Sequence, residues 1–593
     1  MESKRINSEQ FERIVHISVF CLFLCFFVTL GIQHFNSKRI AYGDEIGISI
    51  RDFLVPDDAF GDVFISDDAV HVRGNGQTNL VYVPISIEDL DDRGKMKWGG
   101  IEVTFYGQLL SVEGTRIITV DLCGDNYDFP ENEFSYTLHS QEPTLIKGVI
   151  PFGKHPDVAN LRIITDGSFD LDITNLQVRY VKIQMFSRWV IICLLAFCLC
   201  FILLSVIKIM GMINGGYNDI MQSRKRYIDI ARVSALLLVS WGHFVGVGTN
   251  ASDIQGVIAP GMISGTLLPK SEHRMWVLEE YMYSKFGVEF AVIGVVIFFI
   301  SSGFFIPQMQ KKYNGDGKEG VLIHSIKKTY PMLILTVILN GVLAFLSSDI
   351  RYSLKQYVAT ALNIALPTGI VSTMGVLWYL EVLFLVYLVA TFFKIFDIKD
   401  VIIMYSVLLL IIVSGSVVTS VPEGWVLRNM SYLVSYAGIA LIGVMFCLVK
   451  NYRIITKITY MLVAFLMTLY NIILYNSLTG VSSTYMSINT YLFAILLFII
   501  AFVISCVLEK HSIPIIYYII DKIGNGFLPF YLLHVHFGIT AIWIMRQYGF
   551  NPYISVLVAY VFSAGVTFVA LSIIRCFRRL VVKEYALIFK TRG

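Results

Sequence analysis

One helix could carry an arginine and a histidine on the same face. His243 follows Arg232 after ten intervening residues. At about 100° per residue, eleven steps bring His243 to about 20° from Arg232 around the helix and about 16 Å along its axis. An imidazole is the usual general base of an enzyme because it titrates near neutral pH. The pair predicts catalysis along this helix, with an interhelical hydrogen-bond cluster as the alternative.

Two neighbouring residues extend the polar face of this helix. Asp229 precedes Arg232 by three residues and is predicted to pair with it, because side chains three apart are neighbours on a helix. Ser240 lies at the edge of the same face. An ionisable side chain near the centre of a bilayer costs at least about 2.5–3.5 kcal/mol, so such residues point to function. The helix is therefore predicted to carry a polar track.

Three polar residues in other apolar segments are predicted to support the pair. Ser302 precedes a glycine, and this dipeptide is predicted mainly to let another helix pack closely, with a nucleophilic serine as the lesser alternative. Glu381 is either a tie between helices or an acid. His534 and His536 lie about 200° apart around a helix, so they cannot both face one cleft, and His534 is preferred.

Basic residues cluster at two sites beside the apolar segments. The predicted phosphate-binding residues are Arg224, Lys225, Arg226, Lys327 and Lys328. The alternative is the excess of Lys and Arg that marks cytoplasmic loops. No metal site is predicted, because the sequence contains no CxxC pair and no Cys/His pair at zinc spacing.

The composition indicates a membrane protein. Of the 593 residues, 55% are hydrophobic and 15% are charged, against about 25% charged in soluble domains. The mean hydropathy is +0.66. A soluble protein of this length has no interior large enough for so much apolar surface. The composition therefore excludes soluble, intrinsically disordered, collagen-like and disulfide-rich classes.

Twelve apolar runs are predicted to span the membrane. They lie at 14–33, 187–211, 228–248, 286–306, 330–347, 375–396, 401–420, 431–449, 456–476, 489–508, 524–544 and 554–574. The stretch 357–370 is predicted to be a re-entrant or outer-face segment. Lys and Arg are concentrated on one side of this arrangement, which predicts that both termini are cytoplasmic.

Residues 36–186, between the first two spans, have a different pattern. Apolar and polar residues alternate in runs such as 101–106 and 116–122, and clusters of Gly, Asn and Asp separate these runs. This pattern predicts an extracytoplasmic antiparallel β-sandwich or jelly roll. Glycan binding by its concave face and a role as a spacer or docking domain are both open.

From about residue 225 to 575 the chain resembles the acyltransferase-3 family of integral membrane acyltransferases. The resemblance rests on Asp229 and Arg232, the ten-residue gap to His243, the string GVxxFFxxSGF at 294–304, Trp-Tyr-Leu at 378–380 and Tyr-Leu-Leu-His at 531–534. Members commonly carry an Arg-rich stretch before the proline of the third span, where this chain has Lys327-Lys328-Thr329-Tyr330-Pro331.

The resemblance implies a mainly α, polytopic membrane helical bundle with a core of about ten spans. Together with the patterns above, it divides the chain into a cytoplasmic head and anchor at 1–35, a β-sandwich at 36–186, a second span at 187–211, an acyltransferase core at 225–575 and a basic cytoplasmic tail at 576–593.

The resemblance also implies O-acylation, usually acetylation, of an extracytoplasmic glycan such as O-antigen, capsule or exopolysaccharide. Arg232 and His243 would have the matching catalytic role. Acetyl-CoA is the implied cytoplasmic acyl donor, with no bound cofactor, and the implied partners are a glycan or lipid-linked oligosaccharide and membrane lipids, without nucleic acid. The implied location is the plasma membrane, which is the inner membrane in bacteria.

Two other functions are compatible with the sequence. A transporter of glycans or lipid-linked sugars would use the buried charges to line a substrate path, and a non-catalytic sensor would bind a ligand with the external domain. In the acyltransferase hypothesis, His243 either acts as a general base on a sugar hydroxyl or carries the acyl group itself. The sequence leaves these two routes open.

Overall fold

The structure is a computed structural model. It describes residues 8–36, 40–47, 62–66, 69–74, 79–84, 99–110, 116–124, 133–138, 143–151, 158–165, 169–183, 186–215, 226–245, 274–314, 319–348, 352–393 except 369 and 371, 399–403, 406, 438–448, eight positions between 456 and 473, 487–511 and 514–590.

Thirteen helices are named in the described residues. They are α1 (Ser8–Asn36), α2 (Arg188–Gly215), α3 (Arg226–Val245), α4 (Arg274–Phe286), α5 (Phe290–Tyr313), α6 (Gly320–Ser348), α7 (Leu354–Ala361), α8 (Ala365–Thr368), α9 (Trp378–Phe392), α10 (Gly438–Leu448), α11 (Ile488–His511), α12 (Pro514–Gln547) and α13 (Pro552–Lys590). A short 3₁₀ turn, Gly375–Leu377, leads into α9.

Seven helices in the described part of the chain are long and apolar enough to cross a membrane. They contain Gln10–Asn36, Arg188–Gly211, Phe290–Tyr313, Gly320–Ser347, Ile488–Leu508, Gly526–Met545 and Tyr553–Arg579, and each coincides with a predicted span. The runs at 228–248, 375–396 and 431–449 correspond to α3, α9 and α10. The runs at 401–420 and 456–476 fall largely outside the described residues, so the total of twelve spans stays a prediction.

The helix α6 begins ten residues earlier than the predicted span at 330–347. Lys327 and Lys328 therefore lie in a helix, whereas the sequence placed them in a loop before Pro331. The start of α6 is fixed by two side chains: Asn314 Oδ1 accepts the Val321 N–H at 3.1 Å, and Thr391 Oγ1 accepts the Leu322 N–H at 2.9 Å. These bonds satisfy amides that a helix leaves unpaired at its first turn.

In the part of residues 40–183 that the structure describes, ten strands form two antiparallel sheets. The strands are β1 (Ile40–Gly47), β2 (Asp62–Ile65), β3 (Val70–Arg73), β4 (Asn79–Pro84), β5 (Gly99–Leu109), β6 (Arg116–Gly124), β7 (Glu133–Leu138), β8 (Thr144–Pro151), β9 (Val158–Thr165) and β10 (Leu171–Ile183). The first sheet has the order β2-β3-β10-β5-β8, with β1 also paired to β10, and the second has the order β4-β9-β6-β7.

Buried residues of both sheets form one apolar core. Ile101, Val103 and Phe105 of the first sheet and Ile118 and Val120 of the second are at most 2% exposed. They alternate with polar residues along β5 and β6, as a strand with one buried face requires. This two-sheet unit is called the β-domain below.

The two ends of the β-domain lie side by side and lead into the helices. Ile40 of β1 pairs with Ile183 of β10, and α1 packs against α2. After β10, Gln547 Oε1 accepts the Phe186 N–H at 2.8 Å, and the Tyr548 hydroxyl donates to the Phe186 carbonyl at 2.6 Å. The exit of the β-domain is therefore fixed to the C-terminal end of α12.

The helix α3 lies between α5 and α12. A Cβ on Gly242 would lie 2.5 Å from Ala291 Cβ, and a Cβ on Gly294 would lie 2.7 Å from a methyl of Val239. The later residue of α3, Gly242, meets the earlier residue of α5, Ala291, so α5 is antiparallel to α3. Only glycine lets the helices approach this closely.

A second close approach involves the glycine after Ser302. A Cβ on Gly303 would lie 1.7 Å from the Ala440 carbonyl oxygen, and a Cβ on Gly443 would lie 1.8 Å from the Ile300 carbonyl oxygen. The backbones of α5 and α10 therefore touch where the two glycines meet. The predicted packing role of the Ser-Gly dipeptide is confirmed at Gly303.

Residues 352–368 turn into the bundle between α6 and α9. Tyr357 packs on Gly341, whereas the Leu362 carbonyl accepts from the Tyr330 hydroxyl at 2.9 Å. Tyr330 and Gly341 are eleven residues apart on α6, which is about 16 Å. Between Tyr357 and Leu362 the chain therefore runs along α6, from the level of Gly341 toward that of Tyr330. This course favours the re-entrant alternative for the segment predicted at 357–370.

Candidate active site

Two histidines meet where α3 packs on α12. A Cβ on Gly524 would lie 3.7 Å from an Asp229 oxygen, and one on Gly538 would lie 2.2 Å from the Phe244 ring, so the two helices run parallel. This alignment brings His243 Nδ1 to 3.1 Å from His534 Nε2. The ring centroids are 5.0 Å apart and the planes are inclined at 65°.

The hydrogen bonds of these rings assign their tautomers. His534 Nδ1 lies 2.8 Å from the Tyr531 carbonyl and 3.2 Å from the Phe530 carbonyl. Carbonyls only accept, so His534 Nδ1 carries the hydrogen and its Nε2 is an acceptor. His243 Nδ1 lies 2.8 Å from the Val239 carbonyl and donates to this oxygen and to His534 Nε2. The lone pair of neutral His243 is therefore on Nε2.

The two rings differ in exposure. His534 is 0% exposed, whereas His243 is only half-buried. Part of the His243 side chain is therefore left uncovered, whereas His534 is enclosed completely. The arrangement is typical of a base whose tautomer is fixed by a second group behind it.

Arg232 faces the same helix as His243. Its guanidinium lies 5.2 Å from the ring centroid of Phe527 on α12 and 4.8 Å from that of Phe305 on α5. Phe527 and His534 are seven residues apart and share one face of α12. The predicted common face of Arg232 and His243 is therefore confirmed, and both side chains point into the bundle.

Asp229 and Ser240 lie on the same helix with different surroundings. Asp229 is 5% exposed and lies beside Gly524 of α12; its pairing with Arg232 stays a prediction. Ser240 is 0% exposed, and its hydroxyl donates to the Leu236 carbonyl at 2.7 Å. This bond returns the hydroxyl to its own helix.

Ser302 belongs to a hydroxyl cluster that the sequence did not predict. Its Oγ lies 3.1 Å from the Tyr379 hydroxyl, and the Tyr379 and Tyr531 rings are 5.2 Å apart. The Tyr531 hydroxyl donates to the Val376 carbonyl at 3.0 Å. Both tyrosines stand in the strings that carried the family resemblance, and this position was the only signal for them.

Glu381 is 4% exposed in the first turn of α9. Because Glu381 and Tyr379 are two residues apart, they lie about 200° apart around α9, so Glu381 is not on the side of Tyr379.

Of the predicted phosphate-binding residues, Lys327 and Lys328 are those whose side chains the structure describes. Lys327 is 67% exposed and its ammonium lies 2.5 Å from Glu319 Oε2. This ammonium, with the His324 ring at 2.9 Å, holds the pKa of Glu319 below its usual range. Lys328 is exposed. Arg224, Lys225 and the side chain of Arg226 are outside the described residues.

Residues 225–575 match the family model Acyl_transf_3, described as an acyltransferase domain, and the match covers more than half of the chain. The chain belongs to the acyltransferase-3 family. The resemblance seen in the sequence is therefore confirmed, and the protein is a membrane acyltransferase. No curated protein matches this acyltransferase.

Some solved structures share a local likeness with the acyltransferase. The mannan-binding module TmCBM27 is 14% identical, and the match covers 25% of this chain and 99% of the module at a TM-score of 0.18. The family 11 carbohydrate-binding module of Lic26A-Cel5E from Clostridium thermocellum is 10% identical, with 23% and 95% covered and a TM-score of 0.17.

The arabinose-bound α-L-arabinofuranosidase MgGH51 is 8% identical, and the match covers 22% of this chain and 23% of that enzyme at a TM-score of 0.18. The acyltransferase thus spans less than a quarter of the length of MgGH51. With TM-scores this low, none of these likenesses carries an argument about the acyltransferase.

The acyltransferase has a third buried histidine that stands apart from the pair. His536 is 1% exposed, and neither ring nitrogen has a hydrogen-bonding partner among the described residues. The backbone of Thr373 lies beside the ring.

In the same described part of the chain, no group of three or more His, Cys, Asp or Glu side chains is arranged to hold a metal ion.

Proposed function

We propose that the protein transfers an acetyl group from acetyl-CoA to a hydroxyl of an extracytoplasmic cell-surface glycan. The observation that supports this proposal is the contact between His243 Nδ1 and His534 Nε2. It leaves the lone pair of a half-buried imidazole on Nε2, where a general base needs it. Family membership supplies the acyl transfer; the donor and the acceptor are the finer part of the proposal.

In the direct route, His243 Nε2 takes the proton of the sugar hydroxyl while the hydroxyl oxygen attacks the thioester carbonyl carbon. The carbon–sulfur bond then breaks, and the imidazolium returns the proton to the thiolate of CoA. In the alternative route, Nε2 attacks the thioester carbonyl carbon and the thiolate of CoA leaves. The sugar oxygen then attacks the acetyl carbon of the acyl-histidine, the carbon–nitrogen bond breaks, and the hydroxyl proton passes to the thiolate. Both routes yield an O-acetyl ester and CoA.

His534 stabilises the charged state of His243 in either route. When Nε2 gains a proton or an acyl group, the His243 ring becomes positive. Its Nδ1–H then bonds two acceptors, the Val239 carbonyl and His534 Nε2, and hydrogen bonds from a charged donor are stronger than neutral ones. These acceptors are in place before the reaction, so little reorganisation is needed.

The donor is proposed to enter from the cytoplasm. Its nucleotide end would lie near Arg224, Lys225, Arg226, Lys327 and Lys328, and its thin pantetheine arm would follow the polar face of α3. Arg232 would meet a phosphate or the thioester region. Glu319, which holds Lys327, would have to give up this ion pair to the donor.

This arrangement assumes the orientation that the basic residues predict. Both termini would be cytoplasmic, the β-domain extracytoplasmic, and the membrane the plasma membrane. His243 is two residues from the end of α3, so it would lie toward the acceptor side. Arg232 would lie toward the donor side, about 16 Å away.

The test compares surface polysaccharide from cells with the protein, cells without it, and cells that carry His243→Ala at equal protein abundance. O-acetyl ester per sugar should be present with the wild type and absent from the other two strains. His536→Ala is a matched control that should retain the ester. A loss of polysaccharide with unchanged acetyl content would favour a transporter. Unchanged acetyl content and unchanged polysaccharide in all strains would contradict the proposal.

A further inference from the structure

One face of the β-domain carries an exposed patch of aromatic, acidic and basic side chains. The patch lies on the side of the first sheet that faces away from the core. In its central row, Phe64 of β2 pairs with His71 of β3, His71 pairs with Asp172 of β10, and Asp172 pairs with Gln108 of β5. Four adjacent strands therefore present four different side chains in one line.

The polar members of the row are held in place by each other. His71 Nδ1 lies 2.7 Å from Asp172 Oδ1, and Arg73 lies 3.8 Å from Asp172 and 3.9 Å from Asp170. These side chains are between 20% and 36% exposed. They are ordered by ion pairs and are still accessible to a ligand.

Two exposed aromatic rings border the polar row. Phe64 is 49% exposed and Tyr106 is 39% exposed. The Arg73 guanidinium lies 5.3 Å from the Phe64 ring centroid. Phe64 and Tyr106 are separated by three strand spacings across the sheet and by two residues along it, which corresponds to about 16 Å. Rings of this size exposed on a sheet face are suited to contact a ligand that has both apolar faces and polar edges.

We propose that this patch binds an uncharged stretch of a glycan chain. Sugar rings present C–H faces, which pack on aromatic rings, and hydroxyls, which bond carboxylates, guanidinium and carboxamide groups. The patch alternates donors and acceptors, and its carboxylates Asp170 and Asp172 lie beside Arg73 and His71. With both signs of charge interleaved, the patch complements a neutral polyol better than a polyanion or a polycation.

The same residues include the elements of a hydrolase triad. Ser66 Oγ lies 3.1 Å from His71 Nε2, and His71 bonds Asp172. However, Ser66 Oγ also accepts the Ala69 N–H at 3.2 Å and lies 3.1 Å from the Ala69 carbonyl. The hydroxyl thus closes the turn between β2 and β3, with a lone pair engaged. Binding fits this geometry better than nucleophilic attack.

The position of the patch fits a polymer. Eleven residues of β10 separate Asp172 from Ile183, which is about 36 Å of strand, and Ile183 is the end tied to the helices. A glycan that is held at the patch and acetylated in the helical region would have to extend over tens of ångströms. In this respect the inference rests on the proposed function, since it makes the patch a capture site for the acceptor polymer.

The experiment measures binding of the full-length protein in lipid nanodiscs to soluble surface polysaccharide from the producing cells, stripped of acetyl esters by mild alkali. Phe64→Ala and Tyr106→Ala should each weaken binding by about tenfold. Ile65→Ala is the matched control, because Ile65 is 39% exposed on the same strand and points to the opposite face; its affinity should equal that of the wild type. Equal affinity of all three variants, or no binding by the wild type, would overturn the inference.

Two further measurements separate the alternatives. If the wild type hydrolyses p-nitrophenyl acetate and Ser66→Ala abolishes this activity, the patch is a hydrolase site and the binding proposal is wrong. Acetyl transfer from acetyl-CoA to a methyl glycoside is followed in the same nanodiscs. Polymer binding through the patch without any acetyl transfer would refute the proposed function alone, and acetyl transfer without such binding would refute this inference alone.

Discussion

Two histidines on opposite faces of α12 have different surroundings. His534 and His536 are two residues apart and equally buried, at 0% and 1% exposure. On the face toward α3, His534 accepts from His243 and donates to backbone carbonyls. On the other face, His536 has no hydrogen-bonding partner in the described residues.

This difference shows that burial alone does not identify a functional histidine. A buried imidazole becomes useful for catalysis when its tautomer is fixed and its free nitrogen faces a second reactive group. His534 meets both conditions through Tyr531 and His243. His536 meets neither, so we assign it no role in acyl transfer.

The largest expected effect is that of removing the base. His243→Ala should lower the turnover number by about 10²–10⁴-fold, the range for loss of a general base. The measurement is transfer of radiolabelled acetyl from acetyl-CoA to a methyl glycoside by protein in nanodiscs. Activity within tenfold of the wild type would show that the histidine pair on the side of α12 that faces α3 is not needed for acetyl transfer.

A smaller loss is expected when the supporting histidine is removed. His534→Ala should lower turnover by about 10–100-fold, because a hydrogen bond to a charged group contributes about 1.5–3 kcal/mol. His534→Gln, which can place a carboxamide oxygen near His243 Nδ1, should recover part of the loss. A Gln variant as inactive as the Ala variant would argue against the assigned tautomer.

Substitution of Arg232 tests whether the part of α3 near its N-terminal end contributes to binding of the acyl donor. Arg232→Lys keeps the charge but loses the planar contact with Phe305 and Phe527. We expect about a fivefold increase in KM for acetyl-CoA, since Lys cannot make the two-pronged contact of Arg with a phosphate and one lost hydrogen bond costs about 1 kcal/mol. An unchanged KM would separate Arg232 from donor binding. Leu237→Ala, an exposed position on α3, is the control.

The smallest effect on activity is expected at His536. His536→Leu should leave turnover within about twofold and raise the thermal midpoint in detergent, because an unpaired buried polar group costs about 1–3 kcal/mol. Differential scanning fluorimetry and the acetyl-transfer assay give both readouts. A loss of turnover comparable to that of His534→Ala would remove the distinction between the two faces.

Local patterns predicted the parts of this site that depend on one element. The helical period placed Arg232 and His243 on one face, and the alternation in 101–106 predicted a strand with one buried side. The Ser-Gly dipeptide predicted close packing at Gly303. Each of these inferences needs only the geometry of a single helix or strand.

Contacts between elements could not be predicted in this way. The pairing of His243 with His534 depends on the parallel alignment of α3 and α12, which are almost three hundred residues apart in the chain. The start of α6 depends on capping by Thr391 of α9. Likewise, Lys327 was predicted to be available for phosphate, but Glu319, the residue directly before α6, forms an ion pair with it.

The central claim is that His534 acts through His243. A double-mutant cycle tests it most directly: turnover is measured for the wild type, His243→Ala, His534→Ala and the double variant in the same nanodiscs. If the claim holds, the double variant is as slow as His243→Ala within about threefold, because His534 has nothing left to support. Losses that multiply in the double variant would show that the two histidines act independently and would contradict the account.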